Sequence, residues 1–141
     1  MKLYSQEHFD EVKRRMNTDK EYQEKTKGFN LKWVVVVTDC PGGVDKLTTW
    51  DIKDGKCIDV KLLESPAPSE WRKEIPNRQD YLGVVTGSYE VNARMNRKEM
   101  TSMQAMAQKV YKIDAPMVKV MAMMGKMQAW LDMIASVPVE Y

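Results

Sequence analysis

The sequence contains a single histidine, His8, and only two cysteines, Cys40 and Cys57, in 141 residues. Nucleophilic hydrolases usually pair a serine or a cysteine with a histidine base, so such a pair would depend entirely on His8. A lone histidine near the start of a predicted helix is more typical of the protein surface, where we expect it. The two cysteines have no metal-site spacing and are expected to be free thiols. We therefore predict no enzyme activity, no metal and no cofactor.

An excess of charge of one sign is also missing, because 22 Lys and Arg residues face 20 Asp and Glu residues, giving a net charge of +2. This balance argues against nucleic acid as a partner. No apolar run reaches the roughly eighteen residues of a membrane-spanning helix, and residues 1–10 are too polar for a secretory signal. We expect a cytoplasmic protein, and transient contact with a membrane surface is compatible with its composition.

Methionine, by contrast, is abundant, and ten of the twelve methionines lie from Met95 onward. The unbranched, polarisable side chain of methionine fills irregular spaces and adapts to apolar partners of different shape. A chain of 141 residues is long enough for one domain with a real core, so we assign residues 1–141 to a single domain. The methionine distribution then predicts a deformable apolar region in the second half of that domain.

The stretch Ala115–Val137 predicts a long C-terminal helix, with Pro116 in its first turn and Pro138 just beyond its end. Two adjacent apolar stripes cover about half of its circumference, more than the arc of roughly 100° typical of a surface helix. Leaving four such side chains in water would forfeit roughly 6–12 kcal/mol, so core, ligand or partner must cover them. The first stripe contains Val120, Met123, Met127, Trp130 and Ile134. The second stripe contains Met117, Met121, Met124 and Leu131.

The first half of the chain predicts a helix followed by an antiparallel meander. An amphipathic helix is expected from Ser5 to about Lys27. The valine-rich segment Leu31–Thr38 has the composition of a strand buried on both faces, and two further strands are expected over Lys46–Lys53 and Cys57–Leu63. Asp54-Gly55 between the last two is a typical hairpin turn.

The second half predicts four shorter elements before the C-terminal helix. They are a short edge strand over Trp71–Ile75, a short helix over Asp80–Thr86 ended by Gly87, a methionine-rich helix over Arg97–Gln108 and a fifth strand over Lys109–Ile113.

Four segments, in this order, resemble the sterol carrier protein 2 family. Asp39–Gly43 resembles the first hairpin turn of the family, and Thr49–Lys56 resembles its second strand and the following turn. Asp80–Gly87 resembles a short helix that ends in Thr-Gly, and Lys109–Met117 resembles the last strand and the entry to the final helix. The resemblance covers roughly Phe9–Ile134.

This chain departs from the family at three places around the end of the fold. The family usually has a glycine before the last helix, where this chain has Asp114-Ala115-Pro116. The segment between Gly87 and Lys109 is longer and richer in methionine, and the final helix also extends further. Because these changes fall where the pocket of the family closes, the preference of the family for sterols does not carry over.

The resemblance implies an α+β fold with a five-stranded, mostly antiparallel curved sheet, helices covering one face and an apolar tunnel between sheet and helices. It also implies a carrier for sterols, fatty acids, acyl-CoA or phospholipids that has no catalytic residues of its own. The surplus of apolar helix surface and the missing catalytic groups agree with that implication.

Our first hypothesis is therefore non-catalytic binding and transfer of an apolar lipid, such as a fatty acid, acyl-CoA, phospholipid or sterol-like molecule, in a hydrophobic cavity. The lysines near the last helix would be available to an anionic head group. The candidate ligand-binding residues are Met103, Met106, Val110, Met117, Val120, Met121, Met124 and Leu131.

The alternative hypothesis is a protein-interaction or oligomerisation module. In that case the first stripe of the C-terminal helix would be buried against a second copy of the chain, as a homodimer, or against a larger enzyme.

Overall fold

The computed structural model describes residues 1–141. All five strands form one open sheet in the order β3-β2-β1-β4-β5. The central strand β1 pairs antiparallel with β2 and parallel with β4, and the two outer pairings are antiparallel. The predicted α+β fold with a mostly antiparallel five-stranded sheet is confirmed. The strands are β1 Leu31–Cys40, β2 Val44–Lys53, β3 Lys56–Pro66, β4 Gly83–Ser88 and β5 Tyr111–Asp114.

Six helices accompany the sheet, and two short 3-10 turns, Glu70–Arg72 and Arg78–Asp80, lie between β3 and β4. None of the helices combines the length and the apolar character that crossing a bilayer requires. The helices are α1 Gln6–Thr18, α2 Lys20–Lys25, α3 Tyr89–Asn96, α4 Ser102–Ala107, α5 Met117–Ala122 and α6 Met124–Ser136.

The sheet buries side chains on both faces, as the valine run of β1 predicts. Alternate residues of a strand point to opposite faces, so Trp33 belongs to the large core under the helices and Val34 to a small cluster on the opposite face. That second cluster is covered by Trp71, Ile75 and Tyr81 from the long segment between β3 and β4.

A buried carboxylate anchors this covering segment. Both oxygens of Asp45 accept hydrogen bonds from the guanidinium of Arg72, at 2.8 Å each. The same carboxylate accepts the backbone N–H and the hydroxyl of Ser69 and the backbone N–H of Asp39. Charge-assisted bonds of this kind are the strong ones, and they hold the pKa of Asp45 well below its ordinary value.

The predicted helix from Ser5 to Lys27 is interrupted, because Asp19 leaves the helical conformation and caps α2. Its side chain accepts the N–H of Tyr22 at 2.9 Å. Aspartate competes in this way with the backbone for hydrogen bonds, which favours caps over helix interiors.

Two predictions for the middle of the chain were wrong. Trp71–Ile75 is not a strand, because the Ser69 groups bonded to Asp45 turn the chain over the outer face of the sheet. The predicted helix Asp80–Thr86 is largely strand β4, which lies beside β1 with Val34 opposite Val84. The run Val84-Val85-Thr86 is β-branched and fits a strand better than a helix.

The helices before β5 also differ from expectation. Helix α3 was not predicted, although Ser88 caps it by accepting the N–H of Val91. Helix α4 begins at Ser102 instead of Arg97, because Thr101 and Gln104 form a capping box there. The fifth strand is confirmed, shifted to Tyr111–Asp114.

The predicted helix Ala115–Val137 consists of two helices, α5 and α6. At Met123 the N–H bonds to the carbonyl of Val120, three residues back, which tightens the turn and ends α5. Gly125 is the second residue of α6, and glycine is a poor helix former.

Candidate functional site

A cavity of about 490 Å³ lies between the sheet and the helices. Of its 29 wall residues, 22 are hydrophobic. Small-molecule sites in proteins are typically about 300–1,000 Å³, mostly apolar and furnished with a few polar groups. The size and the composition of this cavity are therefore those of a ligand site.

The floor of the cavity is the middle of the sheet. Val35 of β1 lies opposite Thr48 of β2 and Val85 of β4, so these side chains form one row on the helix-covered face. All three line the cavity, and Val35 is only half-buried although it occupies the centre of the central strand. A residue at that position is normally covered completely, so its exposure is to the interior space.

Methionine forms much of the opposite wall. Eight of the twelve methionines line the cavity, and they come from four helices and the α3–α4 connection. Because methionine adapts its shape, this wall can follow ligands of different outline. These methionines are Met95, Met100, Met103, Met106, Met117, Met121, Met124 and Met127.

Seven of the eight candidate ligand-binding residues surround this cavity. Val110 does not, and 42% of its surface is exposed. It lies in the turn between α4 and β5, where its N–H bonds to the carbonyl of Ala105, whereas Tyr111 and Ile113 of β5 line the cavity. The seven are Met103, Met106, Met117, Val120, Met121, Met124 and Leu131.

The mouth of the cavity lies where the wall residues are exposed, between α4, α5 and the start of α6. Met103 and Met121 are 72% and 62% exposed there. Lys98 is the one charged residue of the wall, and its ammonium pairs with the carboxylate of Asp132. Gln128 donates to the same carboxylate at 2.9 Å. The rim of the mouth is therefore polar, and the charges of Lys98 and Asp132 neutralise each other there.

A small uncharged polar cluster lies in the wall near Gly87. The Tyr4 hydroxyl donates to Asn92 Oδ1 at 3.3 Å, and Asn92 Nδ2 donates to the Ser88 carbonyl at 2.9 Å. A side chain at Gly87 would collide with the Tyr111 ring, since an added Cβ would lie 2.8 Å from it. Burial raises the pKa of both tyrosines, so their hydroxyls stay protonated.

Sequence reasoning missed this cluster. Its members come from the N-terminal segment, α3 and β5, and no local pattern relates them. The one available signal was the alternation of side chains along β5, which places Tyr111 on the same face of the sheet as Ile113.

The first stripe of the C-terminal helix is part of the core of the chain itself. Trp130 packs edge-on against Trp50 with ring centroids 5.2 Å apart, and Trp50 packs against Phe9 in the same way at 5.4 Å. Val120, Met127 and Ile134 are also buried, and Met123 is partly buried against the same core. The stripe is therefore not the free surface that the interaction-module alternative requires of it.

The expectation that His8 is a surface residue was wrong, because His8 lies on the inner side of α1 and is completely buried. Its Nδ1 accepts the N–H of Tyr4 at 3.0 Å, and its Nε2 lies 3.2 Å from the carbonyl of Ile134. Both ring nitrogens are thus engaged with the backbone, and burial lowers the pKa of the imidazole. The histidine connects the N-terminal segment to α6.

The two cysteines are free and buried. Burial raises the pKa of Cys40 and of Cys57 to about 11. Both are therefore thiols at neutral pH, whereas the thiolate is the reactive nucleophile. No three His, Cys, Asp or Glu side chains come together in a metal-binding arrangement.

Neither protein-family profiles nor curated protein sequences give a match to the chain. Solved protein structures, in contrast, do match the chain. One is a conserved hypothetical protein from Thermus thermophilus, described as a candidate sterol carrier protein, with a TM-score of 0.76 and 12% sequence identity. The match covers 99% of this chain and 92% of the Thermus chain. A crystal structure of sterol carrier protein 2 also matches, with a TM-score of 0.69 and 14% sequence identity. The match covers 97% of this chain and 100% of the sterol carrier protein 2 chain.

The same architecture also occurs within a larger enzyme. The inverting sec-alkylsulfatase Pisa1 from Pseudomonas sp. matches 94% of this chain with 16% of its own length, at a TM-score of 0.51 and 14% identity. At such identities the likeness establishes the fold. The chain has the fold of sterol carrier protein 2, which confirms the resemblance found in the sequence.

Proposed function

We propose that residues 1–141 form one domain that binds an apolar lipid in the cavity and transfers it, without catalysing a reaction. One observation carries the proposal: the centre of the sheet, at Val35, lines an apolar space of about 490 Å³ and is only partly covered by packed side chains. A folded core is normally close-packed, so this space is maintained for a ligand. The likeness to sterol carrier proteins supports a lipid, and a cytoplasmic location remains a prediction.

Ligand affinity would come from burial of hydrocarbon, at about 0.8 kcal/mol for each CH₂ group. The methionine wall would make the specificity for chain shape loose. Three tryptophans of the wall, Trp33, Trp50 and Trp130, provide a built-in reporter of occupancy. Delipidated protein titrated with a fatty acid, an acyl-CoA, a phospholipid and a sterol should show saturable changes in tryptophan fluorescence for at least one of them. Absence of any saturable change would contradict the proposal.

The outer side of the mouth suggests where lipid is exchanged. Val118 is 85% exposed and lies beside the exposed Met117 and Met121 on α5. Residues 100–131 contain four lysines but one acidic residue, Asp114, which pairs with Arg78 at 3.5 Å. An exposed apolar patch in a segment with an excess of lysine is complementary to an anionic membrane surface. We propose that α5 contacts such a membrane during transfer. The four lysines are Lys109, Lys112, Lys119 and Lys126.

Replacing Val118 by glutamate should weaken binding to phosphatidylserine-containing vesicles about tenfold, because it removes an inserted side chain and adds a repelled charge. Ile58→Glu is the matched control, since Ile58 is 53% exposed on β3, away from the mouth. Vesicle sedimentation measures both. Equal loss in the two variants, or no loss in either, would contradict the assignment of α5 as the membrane contact.

A protein partner remains the alternative occupant of this same exposed patch. Analytical ultracentrifugation of the wild type and Val118→Glu separates the two cases. A dimer that dissociates in the variant, with no vesicle binding by the wild type, would favour the interaction module over the carrier.

A further inference from the structure

The polar cluster of the cavity contains a hydrogen-bond donor that the protein does not use. Tyr111 lines the cavity, and burial alone raises the pKa of its hydroxyl, with no hydrogen bond contributing. Its neighbours Tyr4 and Asn92 satisfy each other and the backbone of Ser88. A phenol that stays protonated in apolar surroundings can donate to an acceptor atom that enters the cavity.

No unpaired cation lines the cavity. Lys98 is exposed at the mouth and paired with Asp132. Lys46 extends from β2 on the same face of the sheet, but it does not line the cavity. Its ammonium donates to the Tyr4 carbonyl at 3.0 Å and lies 3.6 Å from Glu64. An ionised group beside Tyr111 would therefore be desolvated without a partner, which is strongly unfavourable.

We propose that the cavity selects uncharged amphiphiles, and that the Tyr111 hydroxyl donates a hydrogen bond to an alcohol, ketone or ester oxygen of the ligand. This inference rests on the proposed lipid-binding function and narrows its ligand class. Tyr111 acts as a specificity-determining residue, because it distinguishes an oxygen-bearing lipid from a plain hydrocarbon and a neutral head group from an ionised one.

The ligand set that tests this selectivity is hexadecanol, palmitate and hexadecane, each delivered from phosphatidylcholine vesicles to delipidated protein at neutral pH. Because a buried carboxyl group is shifted toward its neutral form by several pKa units, we expect hexadecanol to bind at least about tenfold more tightly than palmitate. Equal affinity for the two, with carboxyl-labelled palmitate ionised in NMR spectra of the complex, would overturn the inference.

The Tyr111→Phe variant tests the residue itself. Loss of one neutral hydrogen bond should weaken hexadecanol binding roughly two- to tenfold and leave hexadecane binding unchanged, whereas a merely structural role would alter both. Tyr22→Phe is the matched control, since Tyr22 is buried outside the cavity wall. Unchanged hexadecanol binding in Tyr111→Phe would overturn the role of Tyr111. Failure of all three ligands to bind would overturn the carrier function as well.

Discussion

Replacing Val35 by tryptophan should abolish most lipid uptake and leave the fold intact. The new ring would enter the cavity from its floor, where Val35 is half-buried and faces open space. If the ring displaces three methylene groups of the ligand, at about 0.8 kcal/mol each, affinity should fall roughly fiftyfold. The measurement is retention of a radiolabelled lipid by delipidated protein after gel filtration, using the lipid that binds the wild type most tightly.

The thermal unfolding temperature provides the check on folding. Filling an empty cavity adds packing contacts, so Val35→Trp in the lipid-free state should be at least as stable as the wild type. Val118→Trp adds the same ring at a position outside the wall and should retain uptake. Full uptake by a stably folded Val35→Trp protein would mean that the ligand does not occupy this space.

Asp45→Ala should cost on the order of 3 kcal/mol of unfolding free energy, because it leaves Arg72 and the Ser69 groups without their acceptor. The segment that covers the outer face of the sheet would lose its anchor. Urea unfolding measures the effect. Glu64→Ala, which removes an exposed carboxylate from β3, should change the stability by much less. Similar losses in the two variants would contradict the anchoring role.

Because of the Asp45 carboxylate, we also expect the stability of the protein to be sensitive to acid. The pKa of Asp45 is depressed in the folded protein, so the stabilisation is present above the ordinary pKa of aspartate, about 3.9, and is lost as the pH falls below that value. The wild type should therefore lose stability more steeply than Asp45→Ala below about pH 4. Parallel acid-denaturation curves would show that Asp45 contributes nothing in this range.

The features that could be predicted from the sequence are those that depend on local residue patterns and on the amount of apolar surface. The valine run, the Asp54-Gly55 turn and the alternation of the third strand were enough to place β1, β2 and β3. The second stripe of the C-terminal helix was singled out as surface in need of a cover, and its members Met117, Met121, Met124 and Leu131 line the cavity. Whether they bind a lipid remains a prediction.

What the sequence did not predict depends on contacts between distant segments. Residues 80–86 were assigned to a helix, although residues 83–86 belong to β4, because the pairing of β4 with β1 is set by tertiary structure and not by spacing. The burial of His8 requires the carbonyl of Ile134, which is 126 residues away in the chain. The cluster around Tyr111 likewise joins three separate elements. Such sites become visible only when the chain is folded.

Native mass spectrometry of the freshly purified protein tests the central claim most directly. The account predicts a folded species that carries extra mass, which is released on denaturation and identified as a lipid by tandem mass spectrometry. An empty dimer that survives dilution and takes up no lipid on incubation with vesicles would contradict the account, and would assign the exposed surface of α5 to a protein partner.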